Sequence, residues 1–384
     1  MSSDPNQAKK SNLASITFVQ DLNLLYVPVK LNEDGPFWFI LDTGAQATII
    51  DLEVAQHAGV EYQSIDGEAA GAGAAITQLA LANNVALKVN GITVPFEQVL
   101  VVHIRPMSAY VGRPVHGLLG YDFINRYVLE IDYASQRLHL HDPLTYHYTG
   151  NGEIIPLTIR NQLPHIRAWL KMPDQRILDA DLIVDTGASN TLLLSTSFVQ
   201  AQALLTAEFV TVADLVAGAG GSSPGVAGRI AELGFGAVRI KRPPVYFSNS
   251  REDTLADLLG ADGVLGAEVL RRYKLILDYA NERMILEPNQ SIDEPNDEAV
   301  AGLVLKAEGA DFSIIKIAAI AEESPASQAG LFAEDQLLEI DGKTVESFSM
   351  EGLVRSLTEL KTRRLLIQRG QQRLLITFKP QPLP

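Results

Sequence analysis

Phe37-Trp38-Phe39-Ile40-Leu41-Asp42-Thr43-Gly44-Ala45 has a counterpart in Leu182-Ile183-Val184-Asp185-Thr186-Gly187-Ala188. Each is an apolar run that ends on Asp-Thr-Gly-Ala. An acid at the end of a buried strand is costly to keep charged, so its presence there needs a reason. Two such acids, each with a hydroxyl and then a glycine beside it, suggest two half-sites that meet to form one. Average residue usage predicts only about 0.1 chance Asp-Thr-Gly triplets in a chain of this length. Two with matching flanks are not chance.

The surroundings repeat as well. The chain reaches the end of Gly117-Leu118-Leu119-Gly120 seventy-eight residues after Asp42, and the end of Gly263-Val264-Leu265-Gly266 eighty-one residues after Asp185. Residues 116–140 laid over 262–286 give eleven identities in twenty-five positions, among them Arg126/Arg272, Tyr127/Tyr273, Asp132/Asp278 and Tyr133/Tyr279. The offset runs from 143 residues at the triplets to 146 at the glycine motifs. That is a duplicated domain, since solenoid repeats are shorter.

Composition excludes several classes. With 47% hydrophobic and 20% charged residues in 384, the chain can bury a sizeable core and fits two or three domains. A formal net charge of −15 argues against nucleic acid and against anionic membrane surfaces, both of which select basic faces. No apolar run approaches the length of a transmembrane helix. The absence of cysteine removes disulfides, thiol nucleophiles and thiolate metal sites. Met1 to Ser11 is polar and lacks the apolar segment of a signal peptide. The protein is therefore expected in the cytoplasm, unless a cleaved leader precedes residue 1.

The organisation follows from the repeat. Residues 1–14 read as a disordered tail, 15–148 as a first lobe and 149–287 as a second. Short β-like runs separated by turn residues dominate both lobes, and a short helix follows each Gly-apolar-apolar-Gly. We expect two small, mainly β, barrel-like lobes related by an internal pseudo-twofold. Residues 288–299 are acidic, hold two prolines and no basic residue, and read as a solvated linker. In residues 300–384 the texture changes to α+β. Ser324-Pro325 through Gly330-Leu331 has the cap, first-turn proline and terminal glycine of a short helix. Gln336 to Ile340 reads as a strand, Ser349 to Leu360 as an amphipathic helix, and Arg364 to Gln368 with Leu374 to Phe378 as a final strand pair.

Two Asp-Thr-Gly-Ala motifs, each with a downstream apolar-apolar-Gly, resemble the aspartic peptidases over residues 15–290. The likeness is closest to the retropepsin type, with both lobes in one chain as a pseudo-dimer. The tail, with Ser324-Pro325-Ala326 through Gly330-Leu331 and Leu338-Glu339-Ile340-Asp341-Gly342-Lys343, resembles PDZ domains of the bacterial, circularly permuted kind.

The resemblance implies hydrolysis of polypeptides by a water activated between Asp42 and Asp185. It also implies that Thr43 and Thr186 bond across the lobe interface. Gly44 and Gly187 would let the backbones close up and leave N–H groups for the carboxylates. Leu118-Leu119 and Val264-Leu265 would pack under each loop. Glycine-rich segments around Gly71 and Gly73, and around Gly218 and Gly220, match where the family carries substrate-covering flaps. Neither holds the tyrosine of pepsin-like flaps, and surface hairpins are the plainer reading. The PDZ resemblance implies binding of peptide C-termini. On this reading Phe312, Ile314, Leu353 and Leu357 wall the groove, although Ser313 departs from the glycine usual in the carboxylate-binding loop. Family precedent for a tethered PDZ domain points to the periplasm or cell envelope. Such a chain would act as a monomer.

Other features have plainer roles. Asp-Thr-Gly alone is most often a turn or a helix cap, and only its duplication makes it catalytic. Asp132 and Asp278 read as structural turn residues. His139 and His141 alternate on one strand face near His147, with no further ligand pattern, and read as an exposed strand. No metal site, cofactor loop or serine nucleophile elbow is present in the sequence. The competing class is a catalytically inactive peptide-binding scaffold built from the same parts.

Overall fold

A computed structural model describes residues 12–65, 79–206, 209–218, 221–248, 255–296 and 299–384. Gly71, Gly73 and Gly220 lie outside these residues. In lobe 1 the strand Asp34–Leu41 carries buried Phe39, Ile40 and Leu41 up to Asp42. It runs parallel to the short strand Gly117–Leu119, which pairs antiparallel on its other side with Ile49–Asp51. Lobe 2 repeats the arrangement, with Gly263–Leu265 threaded between Ile177–Val184 and Leu192–Leu194. The threading explains the glycines. A Cβ on Gly117 would stand 2.1 Å from the Phe39 ring, and one on Gly266 would stand 2.1 Å from the Asn190 carbonyl oxygen. Among the described residues these motifs organise an eight-stranded sheet in lobe 1 and a ten-stranded sheet in lobe 2.

A third, six-stranded sheet joins the lobes. At its centre Val128–Asp132 pairs antiparallel with Tyr273–Asp278, in the register Leu129↔Leu277, Glu130↔Ile276 and Ile131↔Leu275. The 146-residue offset carries Glu130 onto Ile276, so the pairing is symmetric about that pair. This is the self-complementary contact of a twofold dimer, made within one chain. Leu129, Ile131, Leu275 and Leu277 are fully buried and merge the two lobe cores into one apolar cluster. At the strand ends Asp132 accepts from the backbone N–H groups of Ala134 and Ser135, and Asp278 from those of Asn281 and its side chain.

Two edges differ from the expectation. The tail becomes a strand at Asn12, because Asn12–Thr17 pairs with Arg137–His141 and buries Ala14 and Ile16. That pairing makes the histidine strand an interior one. His141 is 8% exposed, packs against Tyr146 at 4.8 Å between ring centres, and stands 3.3 Å from Glu130.

The C-terminal module has its own core and a sheet ordered Leu303–Glu308, Ile314–Ile320, Gln336–Ile340, Arg363–Arg369, Gln372–Phe378. Ser324 and Ser349 cap its two helices, Pro325–Gln328 and Met350–Thr358. The expected peptide-accepting strand, through Phe312 and Ile314, is misplaced. Ile314–Ile320 is bonded on both sides, to Leu303–Glu308 and to Gln336–Ile340, so the edge on that side of the sheet belongs to Leu303–Glu308, with Gln372–Phe378 at the other edge. Leu353 and Leu357 point into the module's core, 1% and 2% exposed.

The acidic segment is not a free tether either. Asn289 donates its N–H to the Arg272 carbonyl, Glu294 pairs with Arg271 at 2.7 Å, and Arg272 donates to the Glu294 carbonyl. Composition exposed the acids but not the two arginines waiting on lobe 2. Ala299–Val300 then pairs with Gln381–Pro382, and Val300 and Leu383 pack on Val212 and Ala227 of lobe 2. Arg229 donates to the carbonyls of Leu383 and Asn296. Charge-assisted bonds of this kind contribute about 1.5–3 kcal/mol each. Arg229→Ala is therefore expected to speed limited proteolysis within residues 289–299 severalfold, read by mass spectrometry of the fragments. Unchanged cutting would mean that this anchor does not hold the segment.

Candidate active site

Asp42 and Asp185 leave their strands at equivalent points, their N–H groups bonded to the carbonyls of Leu119 and Leu265 at 3.0 and 2.9 Å. The threaded strand of each lobe thus sets the height of its acid. Gly44 donates its N–H to Asp42 Oδ1 at 2.9 Å, and Gly187 to Asp185 Oδ1 at 2.7 Å. A Cβ on Gly44 would fall 2.4 Å from Asp185 Oδ2, and one on Gly187 would fall 2.5 Å from Asp42 Oδ1. Each carboxyl lies against the glycine of the opposite lobe, in space that only glycine leaves.

The threonines close the interface. Thr43 Oγ1 donates to the Val184 carbonyl at 2.6 Å and accepts from the Thr186 N–H at 2.9 Å. Reciprocally, Thr186 Oγ1 donates to the Leu41 carbonyl at 2.7 Å and accepts from the Thr43 N–H at 3.2 Å. Both side chains are buried. A hydroxyl suits the position because it donates and accepts at once.

A second pair of cross-lobe bonds was not legible in the sequence. Asn23 donates to the Ser189 carbonyl, beyond the second triplet, and to Glu268 Oε2, both at 2.9 Å. Gln46, beyond the first triplet, donates to the Asn161 carbonyl at 2.8 Å. Asn23 and Asn161 sit in matching turns with left-handed backbones, at φ 63° and 48°. The only trace of these contacts in the sequence is the position of the two turns ahead of each apolar run. Leu119 and Leu265 are fully buried beneath the loops, with Leu118 and Val264 beside them in satellite clusters.

The electrostatics treat the acids as a pair. Burial pushes the Asp42 carboxyl well above the usual carboxylate range, and the neighbouring charge and hydrogen bond of Asp185 push it further. Burial also raises Asp185, but less, because the N–H groups of Gly187, Gly44 and Ala188 and a hydrogen bond from Asp42 hold its anion. One proton is therefore shared between them, and it belongs to the pair. Asp42 is partly exposed, while Asp185 is 9% exposed. The Tyr279 hydroxyl, stacked on Tyr121 at 6.1 Å, is raised chiefly by burial and then by Asp185. Its repeat partner Tyr133 packs on Phe18 instead. The duplication marked both tyrosines without saying which one meets the acids.

Of the flap candidates, Gly218 pairs with Gly221 at the tip of the hairpin Val212–Gly218 and Gly221–Arg229. In lobe 1 Tyr62–Ile65 and Leu79–Val89 pair up to Ile65↔Leu79, where the described residues stop.

Two lobes that press an Asp-Thr-Gly loop against its twin, with a threaded glycine strand under each, define the aspartic peptidase architecture. The aspartyl protease family matches residues 27–123 and 174–269, together half of the chain, and the protein belongs to it. The PDZ domain family matches residues 316–379, which leaves the edge strand Leu303–Glu308 outside the matched segment. No curated protein matches the sequence.

Thr43→Val keeps the shape and removes both functions of the hydroxyl, leaving the buried Val184 carbonyl and Thr186 N–H unpaired. Each orphaned group costs about 1–3 kcal/mol. The variant is expected to unfold at a clearly lower denaturant midpoint, while Thr43→Ser stays near wild type. Equal midpoints for all three would remove the cross-lobe bonds from the stability of the interface.

Proposed function

We propose that the protein is an aspartic endopeptidase, hydrolysing peptide bonds with a water held between Asp42 and Asp185. The reading rests on one observation above the rest. Two carboxyl groups, one from each lobe, meet at a buried interface, each lying against the triplet glycine of the opposite lobe. Two charges about 4 Å apart repel by about 4 kcal/mol at an effective dielectric of about 20. That equals about 3 pK units, so one acid stays protonated while the other stays ionised.

The ionised carboxylate takes a proton from the water, whose oxygen forms a bond to the scissile carbonyl carbon. The protonated carboxyl donates to the carbonyl oxygen. Collapse of the tetrahedral intermediate then breaks the C–N bond, and a carboxyl proton passes to the leaving amine. The Gly44 and Gly187 N–H groups hold the carboxylates in place, so little reorganisation accompanies charge movement. Because one chain supplies both acids, a single molecule has a complete site. The hairpin of Val212–Gly218 and Gly221–Arg229 stands where the family carries a substrate-covering flap along the chain, and the PDZ match supports a second peptide-binding surface.

Asp42→Asn and Asp185→Asn are each expected to lower kcat on casein by at least about a hundredfold, since one carboxyl cannot serve as both acid and base. Wild-type rates in both variants would overturn the reading. Stability should move the other way. The folded Asp42 carboxyl is raised, so the fold holds its proton more tightly than the unfolded chain and loses stability as pH rises. The Tm advantage of Asp42→Asn should be absent below the ordinary carboxyl value of 3.8 and grow as pH rises above it. A Tm difference that does not change with pH would contradict the proton-sharing pair.

A further inference from the structure

In PDZ domains a peptide C-terminus adds as a strand to a free sheet edge beside a helix. Here Leu303–Glu308 is one of the two sheet edges, and the helix is Met350–Thr358, whose Leu353 and Leu357 share an apolar cluster with Leu305 and Ala307 of that edge strand. Lobe 1 touches both the edge strand and the start of that helix. The helix Pro106–Val111 lies against Leu303–Glu308. Its C-cap, Gly112, abuts the start of Met350–Thr358, and a Cβ there would stand 2.9 Å from Met350 Cβ. Beside it Leu22 donates its N–H to Glu351 Oε2 at 3.2 Å, and its side chain packs on both the PDZ core and a lobe 1 cluster.

The segment that makes these contacts is also tied to the acids. Met107 and Val111 share an apolar cluster with Ala45, the residue after the first triplet, and with Leu118 of the threaded strand. Next to Leu22, Asn23 bonds the Ser189 carbonyl beyond the second triplet. The helix itself, Pro106-Met107-Ser108-Ala109-Tyr110-Val111, is uncharged; Arg113, one residue past its cap, stands 4.0 Å from Asp21, which neighbours Glu351.

We propose that the groove between Leu303–Glu308 and Met350–Thr358 is a peptide site held closed in cis by Pro106–Gly112 and Leu22. A polypeptide C-terminus enters only by displacing them, and its entry loosens the support of the Asp42 and Asp185 loops. The occupant being displaced is apolar and uncharged, so the matching ligand has an apolar last residue and no acid near it. The PDZ domain is then a brace that an incoming C-terminus releases, and the consequence for catalysis rests on the peptidase reading above.

Binding is measured on full-length Asp42→Asn protein, so that the probe is not cut. The probes are fluorescent decapeptides ending in each apolar residue with a free carboxylate, and their C-terminal amides. Gly112→Val in the same background drives a side chain into Met350 and should bind the best carboxylate peptide at least about tenfold tighter. Opening the closed state removes the fraction by which it lowers apparent affinity. The amides should not bind. In the protein without the Gly112 change, saturating peptide should raise amide exchange over 104–113 while lowering it over 303–308. Binding that leaves exchange at 104–113 unchanged, or failure of every carboxylate peptide on both proteins, overturns the proposal. These readouts need no peptidase activity, so their failure is separable from failure of the dyad. In wild type the same peptide should lower casein hydrolysis at least fivefold, and an unchanged rate alongside opened 104–113 would overturn the coupling.

Discussion

Thr43 and Thr186 each reach across to the carbonyl that precedes the other lobe's acid, and each takes the other's N–H in return. Everything at the site depends on this exchange, because the two loops it joins bring like charges together. Without it, repulsion between Asp42 and Asp185 and the cost of burying them would drive the loops apart. Four neutral hydrogen bonds in a dry interface are worth more than their exposed equivalents, since the groups they satisfy would otherwise be orphaned. The glycines make the approach sterically possible, and the shared proton makes it electrostatically tolerable.

The interlobe sheet brings the loops to the distance at which the threonines can act. Its central pairing maps onto itself through the duplication, so Leu129 and its repeat Leu275 meet equivalent positions, Leu277 and Ile131. The two copies have nevertheless diverged where their surroundings differ. Asp122 accepts from the N–H and hydroxyl of Thr48 and so buttresses the first loop. Glu268, its repeat partner, turns to Arg271, Arg272 and Asn23. Lobe 2 thereby gains an anchor for the segment leading to the PDZ domain, through the same arginines that bind Glu294.

The C-terminal module is joined to both lobes. Val300 and Leu383 close over the base of the lobe 2 hairpin, and the helix Pro106–Val111 lies against the module's edge strand Leu303–Glu308. A flexible tether would raise local substrate concentration and leave the site unaltered. A module packed on both lobes is instead part of the structure around the acids.

The duplicated triplets, the Gly-apolar-apolar-Gly strands, the turn acids Asp132 and Asp278 and the capped helices of the tail could all be read from residue identity. Each answers a local demand: no room for a Cβ, a buried hydroxyl with two partners, or an orphan N–H at a helix start. Such demands leave the same residue at the same spacing wherever they recur, and the duplication doubled the record. What only the tertiary structure decided lies in contacts between segments far apart in the chain. Ile314 looked like an edge residue until two strands were found pairing with its own, and the acidic stretch looked solvated until Arg271 and Arg272 were found beside it. Tyr133 and Tyr279 are identical in sequence, and only docking places the second in the field of the acids. Which groove is open and which element covers the PDZ edge depend on how whole surfaces meet, and no short run of residues encodes that.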